Sequence, residues 1–124
     1  MDPRSFSDPL TERIIACIVT VHRNLGPGFL ESVYRNALLL ELRKAKLQVD
    51  SEREIRVHYD GVEVGLHRLD LLVEGQVIVE LKTVEELGAA HYAQVRSYLK
   101  ATGLKKALLV NFAKARSDFR RIVF

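Results

Sequence analysis

Apolar positions recur along this chain with two different periods, and the switch between them sets the order of its elements. Ile14, Ile18, Val21 and Leu25 return every three or four residues, with Ile15 and His22 beside them. That spacing gathers them on one side of an α-helix. Asp8 before Pro9 offers a cap residue and a proline suited to the first helical position, so the helix starts there. "LGPGF" ends it, because Pro27 cannot continue a helix and Gly26 and Gly28 permit a tight turn. A second helix is expected from about 30 to 46, with Leu30, Val33, Ala37 and Leu40 sharing one side.

The period then drops to two. Ile55, Val57 and Tyr59 alternate with polar neighbours, "DG" at 60–61 marks a turn, and Val62 and Val64 resume the pattern. "LDLLVEGQVIVELK" at 69–82 reads as a further hairpin. A third helix is expected from about 89 to 102, with Gly103 placed to end it in the left-handed conformation. "KALLVNF" reads as a buried strand and "RRIVF" as a short last one. The order α-α-β-β-β-α-β-β predicts an α/β (α+β) fold, a mixed β-sheet flanked by helices. With 124 residues, the chain is expected to form a single domain over 1–124.

The register of the 69–82 hairpin decides which side chains meet. A two-residue turn at Glu74-Gly75 would set Val73 against Gln76 and turn Asp70 and Glu80 to opposite faces. A three-residue loop, Glu74-Gly75-Gln76, pairs Val73 with Val77 instead. Leu69, Leu71 and Val73 then oppose Leu81, Val79 and Val77 on a wholly apolar face. The other face pairs Leu72 with Ile78 and Asp70 with Glu80, with Lys82 one step beyond. The apolar pattern selects this second register. Two opposed carboxylates repel, and a divalent cation between them removes the penalty. Hard oxygen donors suit Mg²⁺ or Mn²⁺. Lys82 could then orient a water or balance charge on a phosphate; it could equally neutralise Glu80 in a structural ion pair.

Charge is uneven along the chain, whose formal net charge is +3. From Lys100 onward there are seven basic residues against one acid, Asp118. Such a segment suits phosphate contacts, with Lys105, Lys106, Lys114 and Arg116 as candidate nucleic-acid-binding residues. Cys17 is the only cysteine, which excludes an internal disulfide and fits a reducing cytoplasm. No stretch approaches the roughly 20 apolar residues of a membrane helix. The first residues lack the apolar core of a signal peptide, so none is expected. His22, His58, His67 and His91 show no metal-ligand pairing, which argues against zinc. In this register His67 falls on the face opposite Asp70, and His91 is expected at the surface. No phosphate-cradling glycine loop or Ser-His-Asp set is present.

Three stretches together carry a resemblance. Asp70 with Glu80-Leu81-Lys82 resembles the paired motif of the PD-(D/E)XK nuclease superfamily, with Leu69 where its proline would stand. "GFLESVY", with Gly28, Glu31 and Tyr34, resembles the signature of the small GxxExxY family within it. "QVRSY", with Gln94 and Tyr98, is similar to the Gln-x-x-x-Tyr helix motif of its exonuclease-type members. The resemblance implies a restriction-endonuclease-like core and metal-dependent hydrolysis of phosphodiester bonds in nucleic acid, DNA first. It implies that Glu31, Asp70 and Glu80 hold the metal and Lys82 assists the nucleophilic water. Gln94 would act in the same cleft, which Tyr34 and Tyr98 would line. A module of this fold that binds nucleic acid or protein without cutting is the alternative. A homodimer is compatible with so small a domain.

Overall fold

Five strands form one mixed sheet: β1 (Val49–Tyr59), β2 (Val62–Val73), β3 (Val77–Lys82), β4 (Lys106–Asn111) and β5 (Asp118–Val123), in spatial order β1-β2-β3-β4-β5. Neighbours run antiparallel except β3 and β4, which are parallel. A parallel pair needs a crossover, here the helix α3 (Ala89–Thr102). The helices α1 (Pro9–Leu25) and α2 (Glu31–Lys44) cover the other face. This computed structural model describes residues 8–124. Positions 1–7, part of the stretch on which the expectation of no signal peptide rests, lie outside the described residues. The observed order is the expected α-α-β-β-β-α-β-β.

Local chemistry explains most boundaries. The Asp8 carboxylate accepts from the Thr11 amide at 2.8 Å, capping α1 just ahead of Pro9. Asp60 and Gly61 take φ of 53° and 78°, the double left-handed turn that matches strand twist. Gly103, at φ 75°, closes α3 with its amide on the Leu99 carbonyl. The second helix stops at Lys44, short of the expected 46. Lys46 turns left-handed at φ 66°, and its amide and that of Leu47 bond back to the carbonyls of Arg43 and Leu42.

Two apolar layers hold the sheet. On one side Ile14, Ile18, Tyr34, Leu38 and Leu42 pack over Leu71, Val73, Val79 and Leu81. On the other, Val95, Tyr98 and Leu99 pack over Leu69, Leu72, Ile78 and Leu109.

The face expected for α2 is wrong. Leu30, Val33 and Leu40 are 76%, 36% and 60% exposed, while Tyr34, Leu38 and Leu42 are fully buried. The Tyr34 ring stacks on Phe112 with centroids 4.6 Å apart, and that contact fixes the rotation of the helix. Glu31 and Arg35 lie on the same inward arc, which points them towards the sheet.

Candidate active site

The strands β2 and β3 pair from Val73 and Val77 to Leu71 and Val79, across the expected three-residue loop, and there the ladder stops. Past that point the backbone donors turn to side chains. The Leu81 amide donates to Asp70 Oδ2 at 2.8 Å, and the Asp70 amide to Glu80 Oε1 at 3.3 Å. The strands part because these two carboxylates take up amides that a continued ladder would pair. On the other flank of β2, Glu52 adopts φ 55° and drops out of the β1 ladder opposite Asp70.

Side-chain alternation slips at the same place. Leu69 and Leu72 both enter the α3 layer, with Leu71 in the other. The expectation that Leu69 joins the Leu71 face therefore fails. A strict period of two cannot see a kink. His67 keeps its expected opposition to Asp70: it turns to α3, its Nε2 3.0 Å from Ser97 Oγ and its ring 4.9 Å from that of Tyr98, while the Asp70 carboxylate stands 4.0 Å from Arg35 of α2.

The electrostatics follow from burial and crowding. Burial and the neighbouring Asp70 carboxylate push the Glu80 carboxyl up to about 8, against the opposing pull of Lys82. Lys82 Nζ donates to Gln94 Oε1 at 2.7 Å and stands 3.8 Å from Glu80 Oε2. Glu31 opens α2 in partial burial; desolvation and then the Asp70 charge raise its pKa, while Lys82 and Arg35 oppose the rise. Tyr98 is pushed up to about 12 by burial, then by Glu80 and Asp70, with a hydrogen bond to Gln94 working the other way. Its hydroxyl stays protonated and able to donate.

Asp70, Glu80, Lys82, Gln94, Glu31 and Tyr98 therefore share one electrostatic neighbourhood between α2, α3 and the parting strands. Tyr34 does not line that cleft. It is fully buried, its hydroxyl donating to the Gly26 carbonyl at 2.5 Å and accepting from the Phe29 amide at 3.1 Å. It ties down the turn that precedes Glu31, an indirect positioning role.

Lys105 and Lys106 are also displaced. Lys106 pairs with Val77, where β3 begins, so both lysines sit about 16 Å of strand from Lys82. Lys106 also bonds Asp8 at 2.8 Å. Lys114 and Arg116 follow β4 at the cleft end, with the Lys114 ammonium 2.6 Å from Glu86. His91 caps its own helix, accepting from the Gly88 amide at 2.9 Å.

Two residues escaped the sequence reading. Arg35 stands 4.0 Å from Asp70 and 3.3 Å from Glu52; its only signal was the i, i+4 spacing from Glu31. Asn111 is fully buried, with its Oδ1 accepting from the Val84 amide at 3.1 Å and its Nδ2 donating to the Val84 carbonyl at 2.7 Å. It fixes the loop leaving Lys82, and a lone polar residue closing the apolar run "KALLVN" was the hint.

The donor set suits a hard divalent cation. Asp70 and Glu80 are opposed carboxylates whose crowding raises a proton affinity that a cation would lower. Glu31 adds a third oxygen donor within electrostatic reach. Among the described residues, no three such side chains form a ready cage.

A sequence model described as the PD-(D/E)XK nuclease superfamily matches residues 8–122. No curated protein matches the chain significantly. Among solved structures, the crystal structure of SSO0001 superposes with a TM-score of 0.60 at 19% identity, covering 74% of this chain. The matched region is 48% of that structure's chain, so this chain spans about half its length. At such identity the likeness is one of fold.

Proposed function

The chain belongs to the PD-(D/E)XK nuclease superfamily, and from that premise we propose that it hydrolyses phosphodiester bonds in nucleic acid with a divalent cation, Mg²⁺ or Mn²⁺. The observation that carries this reading is the junction of Asp70, Glu80 and Lys82 where β2 and β3 separate. Within the superfamily, the stretch from Gly28 through Glu31 to Tyr34 supports assignment to the GxxExxY family.

Asp70 and Glu80 would hold the cation, with Glu31 as a further donor. When bound, the cation supplies a water of lowered pKa and offsets charge on the phosphate. The chain's own groups do the rest. Gln94 holds the Lys82 ammonium at the carboxylates, where it can donate to a phosphate oxygen or steady the attacking water. Tyr98 keeps its proton and can donate to a second phosphate oxygen. Arg35, beside Asp70, limits how much uncompensated negative charge the cleft carries before a cation arrives.

Incubation with labelled DNA and RNA, with Mg²⁺, Mn²⁺ or chelator, tests the reading. Cleavage should need the metal, and Glu80→Gln should reduce it at least a hundredfold, as expected when a principal electrostatic group is lost. Full cutting by that variant would remove the site from the reaction. The second reading, a nuclease-fold module that binds nucleic acid or a protein without cutting, draws on Arg35 standing 4.0 Å from Asp70. It predicts no Mn²⁺ uptake by calorimetry.

A further inference from the structure

Beside the cleft, and outside the set of residues just described, the β1–β2 hairpin leans towards α3 and leaves a cavity of about 420 Å³. Arg56, His58, His67, Ser97 and Lys100 line it, with Val57 and Ala101 as its apolar wall. No carboxylate is among these lining residues. The Arg56 guanidinium is braced by Glu63 at 2.6 Å and by Glu54 at 3.4 Å. Lys100, exposed on α3, has no ion pair among the described residues, so among them its charge is the one the groove offers unopposed.

The groove connects to the cleft by direct contacts. Lys82 bonds Gln94, Gln94 bonds Tyr98, the Tyr98 ring meets that of His67, and His67 meets Ser97 on the cavity wall. A strand whose reacting phosphate lies at Lys82 would pass next over a surface of cations, imidazole N–H groups and a hydroxyl. These are the donors that phosphate oxygens accept from.

Resting on the nuclease reading, we infer that this groove between α3 and the β1–β2 hairpin binds the sugar–phosphate backbone flanking the scissile bond. Lys100 supplies its main charge, and His58, His67 and Ser97 its hydrogen bonds. It thereby takes the place of Lys105 and Lys106, which lie at the far end of the sheet.

The test is binding of short labelled oligonucleotides, as single-stranded DNA, duplex DNA and single-stranded RNA, in Ca²⁺ or chelator so that no arm is cut. Affinity is read by fluorescence anisotropy over a range of salt. Lys100→Ala should weaken binding by about threefold to tenfold and shallow the salt slope by about one in the preferred arm. Lys100→Glu should weaken it further. Lys105→Ala, checked in parallel, should match the parent chain. Unchanged affinity in both Lys100 variants, an equal loss in Lys105→Ala, or no binding by the parent in any arm would overturn the groove. Failure of the nuclease reading looks different: Lys100→Ala weakens binding, yet the parent cuts nothing with Mg²⁺ or Mn²⁺.

Discussion

Glu80 takes up a proton at about pH 8 in the folded chain, whereas a free glutamate does so near 4.5. Between those values the folded state holds an extra proton, so Glu80's contribution to stability is full below about 4.5 and fades as pH climbs to 8. In chelator, the melting temperature of the parent should lose ground against Glu80→Gln from pH 5 to 8. A constant difference over that range would contradict the buried, crowded carboxyl. Tyr34→Phe removes the hydroxyl that bridges Gly26 and Phe29, and should cost about 1–3 kcal/mol in urea melts. The meeting of Asp70 and Glu80 was legible because only one hairpin register buries an apolar face. Arg35 was not, since an arginine on a helix announces nothing until the helix's rotation is known. Tyr34 was misread because its fully buried hydroxyl serves a turn five and eight residues back, which no spacing rule reveals.

At the level of elements, sequence legibility tracked how many independent signals agreed. Asp8-Pro9, Asp60-Gly61 and Gly103 each combine a composition cue with a required backbone conformation, and all three boundaries stand. The helix α2 offered apolar residues on both sides, through the run Leu38, Leu39 and Leu40, so periodicity alone chose the wrong one. Its burial makes a sharp contrast testable. Leu38→Ala should cost about 2–5 kcal/mol, while Leu40→Lys should stay within about 0.5 kcal/mol. Asn111→Ala strands the amide and carbonyl of Val84, and should destabilise by about 2–3 kcal/mol while loosening the loop beyond Lys82. Chemical denaturation measures all three, and limited proteolysis of the loop checks the last.

Across the whole molecule, the basic surplus of the last 25 residues is less available than a charge count implies. Lys106 meets Asp8, Lys114 meets Glu86, Arg120 meets Asp118 and Arg121 meets Glu12. The Asp8 and Glu12 contacts fasten α1 to β4 and β5, the Glu86 contact ties the loop after β3 to the loop after β4, and the Asp118 contact stays within β5, each adding about 0–1 kcal/mol where exposed. Arg121→Ala should therefore lower the melting temperature slightly and change oligonucleotide affinity less than Lys100→Ala does. The reverse ranking would return the nucleic-acid surface to the C-terminal strand. Among the described residues no helix is long and apolar enough to cross a membrane. At the forked end of the sheet, the amide hydrogens of Asp70 and Leu81 are fastened to carboxylate oxygens and not to a neighbouring strand. Whatever competes for those oxygens also unfastens these two hydrogens. Their exchange with deuterated solvent should quicken when an ion settles there, giving an occupancy gauge that needs no turnover.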